Sequence, residues 1–289
     1  MIFFRIIDDK LYSGGEVSRL GFNKISPISE FSKEIFIIFR TCHGIGDWGI
    51  VSAMPRLIKE KYPNAKVAYP SRELLSKLFN SSQWGNWNDP FLNPGLIFKN
   101  NPYIDGVVDS IPGEVFTDHY RVYDEENIYI PLPEQMLKVY GFQDSEIEDS
   151  CPELYFDSQE EIERLTITEG AKYGCLLIPN KPEEINANRE EYFSKILGIL
   201  QEYNLPLYYY SSIPINETPF EKYCTLGDLS KLGDIRLQTN IRCNAVFNVG
   251  FISGVMDIVA RYSKVYTIAT PSLEDISSNG NYIKCETYI

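Results

Sequence analysis

The chain has few of the side chains that bind transition metals. Only two of its 289 residues are histidine, and its six cysteines are scattered without any Cys-x-x-Cys pair. A zinc site takes several such ligands at short, regular spacings. The sequence therefore predicts no metal site, no disulfide framework and cysteines that stay reduced.

Basic residues and long apolar runs are also scarce. The chain carries 27 Lys and Arg against 40 Asp and Glu, a net charge of −13, and no cluster of basic residues stands out. Because nucleic acids are bound through dense positive charge, general nucleic-acid binding is not expected. No run reaches the roughly 20 apolar residues of a membrane-spanning helix, and Asp8 and Asp9 stand where a signal peptide is apolar. We expect a cytoplasmic protein without a transmembrane segment.

The chain does contain enough hydrophobic residues for a core, and they lie in segments that alternate between strand and helix patterns. Hydrophobic residues make up 44% of the sequence, enough for two domains of ordinary size. Apolar strand candidates alternate with helical or irregular segments, which is the order of an α/β protein. Strands are predicted at 35–40, 66–69, 106–110, 127–131, 173–179, 205–211, 244–250 and 264–269, and helices at 189–204 and 252–263.

The predicted elements fall into two similar halves. An acidic, amphipathic segment at 157–170 separates them and suits a connecting helix. The resulting division is an arm or hairpin at 1–34, an N-terminal domain at 35–165, a C-terminal domain at 166–272 and a C-terminal segment at 273–289.

A β-loop-α-β unit at residues 35–69 gives the strongest functional signal. Its first apolar run ends in a loop that contains Gly44, Gly46 and Asp47, and a helical pattern follows at once. The glycines permit close backbone approach or a positive φ, while the Asp47 carboxylate either caps the helix or faces a ligand. Since parallel sheets bind ligands at the carboxyl ends of their strands, we place the reactive group of the protein in this loop.

Four segments, taken in order, carry a resemblance to a known family. They are the strand with its G-x-G-D loop at 35–69, NPYIDGVVD at 101–109, PELYFDSQEE at 152–161 and NVGFISGVMDIVARYSKVYTIA at 248–269. Together they resemble the ADP-heptose:lipopolysaccharide heptosyltransferases. The resemblance implies a GT-B fold, in which two Rossmann-like α/β domains face each other across a cleft. It also implies an inverting, metal-independent glycosyltransferase of hexosyl- or heptosyltransferase type.

The resemblance places the acceptor in the N-terminal domain. Asp47 matches the family's general base, which removes the proton of an acceptor hydroxyl, on a glycan or a lipid-linked glycan, while the sugar leaves its nucleotide. The acceptor-binding residues implied beside it are His43, Gly44 and Gly46. No cofactor or metal is implied, and the expected partners are a nucleotide-sugar donor and a hydroxyl acceptor.

The resemblance places the donor in the C-terminal domain. A strand ends at Val249 and a helix begins near Ile252, so the free N–H groups of the helix start suit an anionic diphosphate. A cation after strand 173–179 would stabilise the leaving diphosphate. The implied donor-binding residues are Lys181, Arg189, Glu217, Gly250, Ser253, Gly254 and Asp257.

Two departures from the family pattern keep other functions open. Ile252 stands where the family has Asp, and Asp257 stands where it has His. Both departures favour, as an alternative, a GT-B-like module that binds a ligand without catalysis, and so does the lack of a clear copy of the family's Lys-Arg-Trp pattern at Lys181 and Arg189. A sugar-nucleotide epimerase of the same fold is a third interpretation.

Overall fold

The chain divides between Tyr155 and Phe156 into two units, each with a parallel sheet of its own. We call the described residues before this point unit 1 and those after it unit 2. The structure is a computed structural model, and it describes residues 3–7, 10–13, 35–40, 44–80, 94–110, 117–118, 133–134, 137, 142–179, 185 and 188–268. The strand predicted at 127–131 and the C-terminal segment at 273–289 lie outside these residues.

Unit 1 holds one parallel and one antiparallel sheet among its described residues. Its elements are β1 Phe3–Ile7, β2 Lys10–Ser13, β3 Ile35–Ile37, α1 Ile45–Gly49, α2 Met54–Lys61, β4 Lys66–Pro70, α3 Arg72–Asn80, α4 Gly95–Phe98, β5 Gly106–Val108 and β6 Thr117–Asp118. The parallel sheet has the order β3-β4-β5. The antiparallel sheet has the order β2-β1-β6, and β1 with β2 forms a hairpin.

Unit 2 is built on a parallel sheet of five strands in the order β11-β10-β7-β8-β9. Its elements are α5 Ser158–Thr168, β7 Gly174–Ile178, α6 Arg189–Tyr203, β8 Leu207–Ser211, β9 Gly227–Asp228, α7 Ile235–Cys243, β10 Phe247–Phe251, α8 Gly254–Ile258 and β11 Lys264–Ile268. The predicted α/β class is confirmed. The strands predicted between 173 and 269 and the helix predicted at 189–204 form at nearly the predicted positions, whereas the helix predicted at 252–263 forms only at Gly254–Ile258.

Both faces of the unit 2 sheet are covered, which explains its continuous apolar strands. All residues of β7 and of β10 are buried. Leu176 and Val249 pack in the cluster on the α6 side of the sheet, while Cys175 packs with Leu237 of α7 on the other. Strands covered on both faces lack the polar alternation of a half-exposed strand.

Helix α5 belongs to unit 2, so the boundary lies about ten residues before the one predicted at 165. Its N-cap is Asp157, whose side chain accepts from the N–H of Glu160, while the Glu160 carboxylate accepts from the N–H of Asp157. Nε of Arg236, in α7, donates to the same carboxylate at 2.7 Å. These contacts hold the start of α5 on α7.

Exchanging Glu160 for Gln is expected to lower the free energy of unfolding by about 1–2 kcal/mol, because an amide oxygen still caps α5 but the charge that pairs with Arg236 is gone. Thermal denaturation measures the change. Glu163, exposed on the same helix, provides the control: Glu163→Gln should change stability by less than about 0.5 kcal/mol. Equal effects of the two substitutions would contradict a specific role for Glu160.

Two of the motifs that resemble the family hold unit 1 together. Asp105 accepts from the N–H of Val67 at 2.7 Å and pairs with Nζ of Lys59 at 2.6 Å. Glu153 is 5% exposed, and Nε of Arg56 donates to it at 2.6 Å. Burial alone would lower the pKa of Arg56, but its hydrogen bonds to carboxylates raise the pKa above its ordinary value. The segments 101–109 and 152–161 are therefore structural anchors where they are described.

The described cysteines differ in oxidation state. Cys175, Cys224 and Cys243 are free, and burial raises the pKa of Cys175 and that of Cys224 each to about 12. Their thiols are thus protonated and unreactive near neutral pH. Cys151, in contrast, is disulfide-bonded. The prediction of reduced thiols is wrong at this position, since pairing depends on which side chains the fold brings together and spacing along the chain does not reveal that.

Candidate functional site

Asp47 lies in the first turn of α1, just beyond the carboxyl end of β3. Its Oδ1 is 3.6 Å from Nη2 of Arg40, which follows the same strand. The Arg40 side chain is 4% exposed, whereas that of Asp47 is 37% exposed. The carboxylate therefore has a buried cation on one side and solvent on the other, so its exposed side is open to a bound substrate.

Gly44 directly precedes the helix that carries Asp47. It is the N-cap of α1 with φ −69° and ψ 144°, and α1 has no side-chain cap. The interpretation of Asp47 as an N-cap is therefore wrong, because Asp47 is already inside the helix. A positive φ is also wrong for Gly44; what the glycine supplies is space, since a Cβ there would lie 2.7 Å from Oδ2 of Asp47. Gly46 is buried within α1, and His43 lies outside the described residues.

An aromatic cluster fixes the helix that carries Asp47. Trp48, the next residue, is 1% exposed, and its ring meets the edge of Phe98 with centroids 6.4 Å apart. Phe98 in turn stacks on Tyr69 of β4 at 5.1 Å. Because Trp48 is locked in the core, the backbone of Asp47 has little freedom to move.

Arg40 is not among the site residues predicted from the sequence. One signal was available: Arg40 directly follows the apolar run 35–39, where a side chain enters the core. A charge in that position needs a counter-charge, because an unpaired buried ion is costly. Asp47 is an acid in the loop that follows, and the structure brings the two together.

The strand order of unit 2 marks a second candidate position. From β7 the chain continues to β8 and β9 on one side of the sheet, and β10 and β11 lie on the other. The strand order therefore reverses between β7 and β10, and such a switch point is where open parallel sheets bind ligands. Gly250 and Ser253 lie at the end of β10 and just beyond it, whereas Lys181, in the loop after β7, is outside the described residues.

Helix α8 is short, and Ser253 directly precedes it. Ser253 occupies the N-cap position but makes no capping hydrogen bond, and its Oγ is buried without a partner among the described residues. Gly254 is the first residue of the helix. Asp257 is 4% exposed, so it is packed inside unit 2 rather than presented to solvent.

Gly250 is required by the sheet itself. Its φ is +155°, a conformation that side chains rarely adopt. A Cβ at this position would lie 2.1 Å from the carbonyl oxygen of Leu177 in the neighbouring strand. The glycine is therefore explained by close packing of β10 against β7, without any ligand.

Arg189 contacts the backbone carbonyl of Glu217 and not its carboxylate. Nη2 of Arg189 donates to the carbonyl oxygen of Glu217 at 2.7 Å. The guanidinium also lies over the ring of Phe193, 5.1 Å from its centroid. These contacts tie the start of α6 to the turn at Ile215–Glu217. A role for either side chain in donor binding stays a prediction.

Comparison with known proteins supports the fold. A structural neighbour is the glycosyl transferase family 9 protein from Veillonella parvula, with a TM-score of 0.50, 9% identity, and coverage of 85% of this chain and 88% of that one. No protein-family model and no curated protein sequence matches the chain. At this identity the likeness shows the fold alone. The prediction of two Rossmann-like α/β domains, as in GT-B proteins, is confirmed.

Two further features concern metals and membranes. Within the described ranges, no group of three or more His, Cys, Asp or Glu side chains is placed to hold a metal ion. None of the helices described above has both the length and the apolar character needed to span a bilayer. Independence from metal ions and location in the cell stay predictions.

Proposed function

We propose that the chain is a glycosyltransferase that moves a sugar from a nucleotide-sugar donor to a hydroxyl acceptor, with inversion and without a metal ion. Asp47 is the general base in this proposal. It removes the proton of the acceptor hydroxyl, so the attacking oxygen becomes a better nucleophile as the bond to the nucleotide breaks. Unit 1 holds the acceptor and unit 2 holds the donor.

The geometry of Asp47 is the observation that carries the proposal. The Asp47 side chain is 37% exposed, its Oδ1 faces a buried Arg40, and it makes no capping hydrogen bond in its helix. It also lies at the carboxyl end of a parallel strand, where this class of fold binds substrates. The fold shared with the family 9 glycosyl transferase protein agrees with the proposal.

Donor binding is proposed at the switch point of the unit 2 sheet. The Ser253 hydroxyl, buried and without a described partner, has hydrogen-bonding capacity that a phosphate oxygen would satisfy. Backbone N–H groups at the start of a helix have no acceptor within it, so Gly254 also has a donor to offer.

A second candidate function is a module that binds a ligand without transferring sugar. It is favoured by the contacts of the proposed donor residues. Arg189 is engaged with the Glu217 carbonyl, and Gly250 is explained by packing. Among the described residues proposed for the donor, therefore, no cation is held toward a diphosphate.

A panel of nucleotide sugars tests the function directly. Thermal unfolding is measured with ADP-, GDP-, UDP-, CMP- and dTDP-linked sugars in the presence of EDTA, and the best ligand is then assayed for nucleotide release. We expect one nucleotide class to stabilise the protein, by about 2.7 kcal/mol at roughly 100 times its Kd. Nucleotide release should follow without added metal and increase when a glycan acceptor is present.

The other functions give distinct results in the same assays. Interconversion of the sugar with the nucleotide still attached would identify an epimerase. Stabilisation without turnover would favour the binding module. A flat thermal response across the whole panel, or release that requires Mg²⁺ or Mn²⁺, would contradict the proposal.

A further inference from the structure

The two carboxylate oxygens of Asp47 have different neighbours. Oδ1 lies 3.6 Å from Nη2 of Arg40, and Oδ2 occupies the space beside Gly44 where another residue would have its Cβ, at 2.7 Å. We infer that Arg40 and Gly44 are positioning residues that together hold the Asp47 carboxylate in place for proton transfer. The inference rests on the proposed function for its catalytic meaning.

Arg40 contributes through charge. Its side chain is 4% exposed, so it is held by packing, and the attraction between it and Asp47 is screened less than in water. The separation of 3.6 Å is longer than a normal hydrogen bond. The lone pairs of Oδ1 are therefore not taken up by this N–H and stay available to a substrate proton. The guanidinium holds the carboxylate without blocking it.

Gly44 contributes by leaving room for Oδ2 of Asp47. Its backbone angles, φ −69° and ψ 144°, are open to any residue, so alanine would not strain the backbone. The added methyl group would nevertheless meet Oδ2 of Asp47 at 2.7 Å. The carboxylate is the end of a flexible side chain, so it would move while the fold survives. Gly44→Ala thus displaces the base without removing it.

Displacing a general base lowers the reaction rate even when the base itself is chemically unchanged. A misplacement of about 1 Å lowers an enzymatic rate by up to about 100-fold, because the proton and its acceptor no longer meet in the transition state. Binding of the nucleotide sugar, in contrast, does not involve these residues in the proposed function. Displacement of the Asp47 carboxylate should therefore lower kcat and leave the KM for the donor nearly unchanged.

The test uses the full chain and the nucleotide sugar that stabilises it most in the panel, without acceptor, so that water is the nucleophile. Nucleotide release is measured for the wild type, Arg40→Met, Arg40→Lys and Gly44→Ala. We expect kcat to fall about 10–100-fold in Arg40→Met and Gly44→Ala, with KM within about twofold. Arg40→Lys should recover part of kcat, since it keeps the positive charge but not the shape of the guanidinium.

Lys59→Met is the matched control. It removes the cation of another ion pair of unit 1, 2.6 Å from Asp105, and should leave kcat at the wild-type value. Gly44→Ala keeps the test decisive if Arg40→Met does not fold. Wild-type kcat in both Arg40→Met and Gly44→Ala would overturn the inference.

A double-mutant cycle separates positioning from an independent effect. If Arg40 and Gly44 act through Asp47, adding Arg40→Met or Gly44→Ala to Asp47→Asn should cause no further loss of kcat. A further loss as large as in the wild-type background would overturn the inference. If the wild type releases no nucleotide from any donor, the proposed function fails instead. Crystal structures then decide: a displaced Asp47 carboxylate in both variants supports positioning, and an unmoved one refutes it.

Discussion

Asp47→Asn is expected to lower the rate of sugar transfer by about 10²–10⁴-fold, the usual contribution of a general base. Asparagine has the size of aspartate but does not accept the proton of the acceptor hydroxyl. The affinity for the donor should stay within about twofold, because the donor is proposed to bind unit 2. Initial rates and donor KM, measured with the nucleotide sugar selected by the panel, check the prediction.

Asp109 offers a control for this substitution. It is exposed directly after β5, another strand of the same parallel sheet, so it has the same charge in a similar position. Asp109→Asn should transfer sugar at the wild-type rate. Wild-type turnover by Asp47→Asn would remove Asp47 from the role of base, and an equal loss in both variants would point to a general effect of charge at this sheet edge.

Gly250→Ala is expected to lower the free energy of unfolding by about 3–5 kcal/mol, the sum of a strained backbone conformation and overpacking. The reason is that a Cβ would lie 2.1 Å from the Leu177 carbonyl oxygen, and both groups belong to paired strands that cannot easily separate. Urea or thermal denaturation measures the change. The loss should already be seen in the absence of nucleotide sugar, since it arises within the sheet.

Gly198 in α6 is the matched control in unit 2. A Cβ there would have no atom within 4 Å. Gly198→Ala should therefore stabilise the protein by about 0.5–1 kcal/mol, because alanine loses less backbone entropy in a helix than glycine. If Gly250→Ala were as stable as the wild type but failed to bind nucleotide sugar, Gly250 would be a ligand contact after all.

The strands of unit 2 were predictable because burial on both faces makes them continuous apolar runs. Helix α7 was not predicted, since its buried residues include Arg236, Asn240 and Arg242. These polar side chains find partners from other elements, as when Nδ2 of Asn240 donates to the Glu160 carbonyl. A single sequence does not show such distant partners, and the polar residues obscure the short apolar spacing of Leu237, Ile241 and Ala245.

The candidate site was predictable only where a local pattern carried the information. Asp47 follows a strand and a glycine loop, and that arrangement is visible in the sequence. The pairing with Arg40 depends on how the fold places the end of β3 against α1, which no local pattern records. Gly250 matched a ligand-binding pattern, but glycine suits a close approach of either a ligand or another strand. Only the distance to Leu177 distinguishes the two.

The strand order of unit 2 also has a consequence for its synthesis. Leu176, in the central strand β7, pairs with Tyr209 of β8 on one side and with Val249 of β10 on the other. A ribosome produces β8 soon after β7, but β10 only after a much longer stretch of chain, a delay of several seconds at usual rates. During that time one edge of an apolar strand is unpaired and open to pairing with other chains. The growing chain is thus most exposed to aggregation just before β10 emerges.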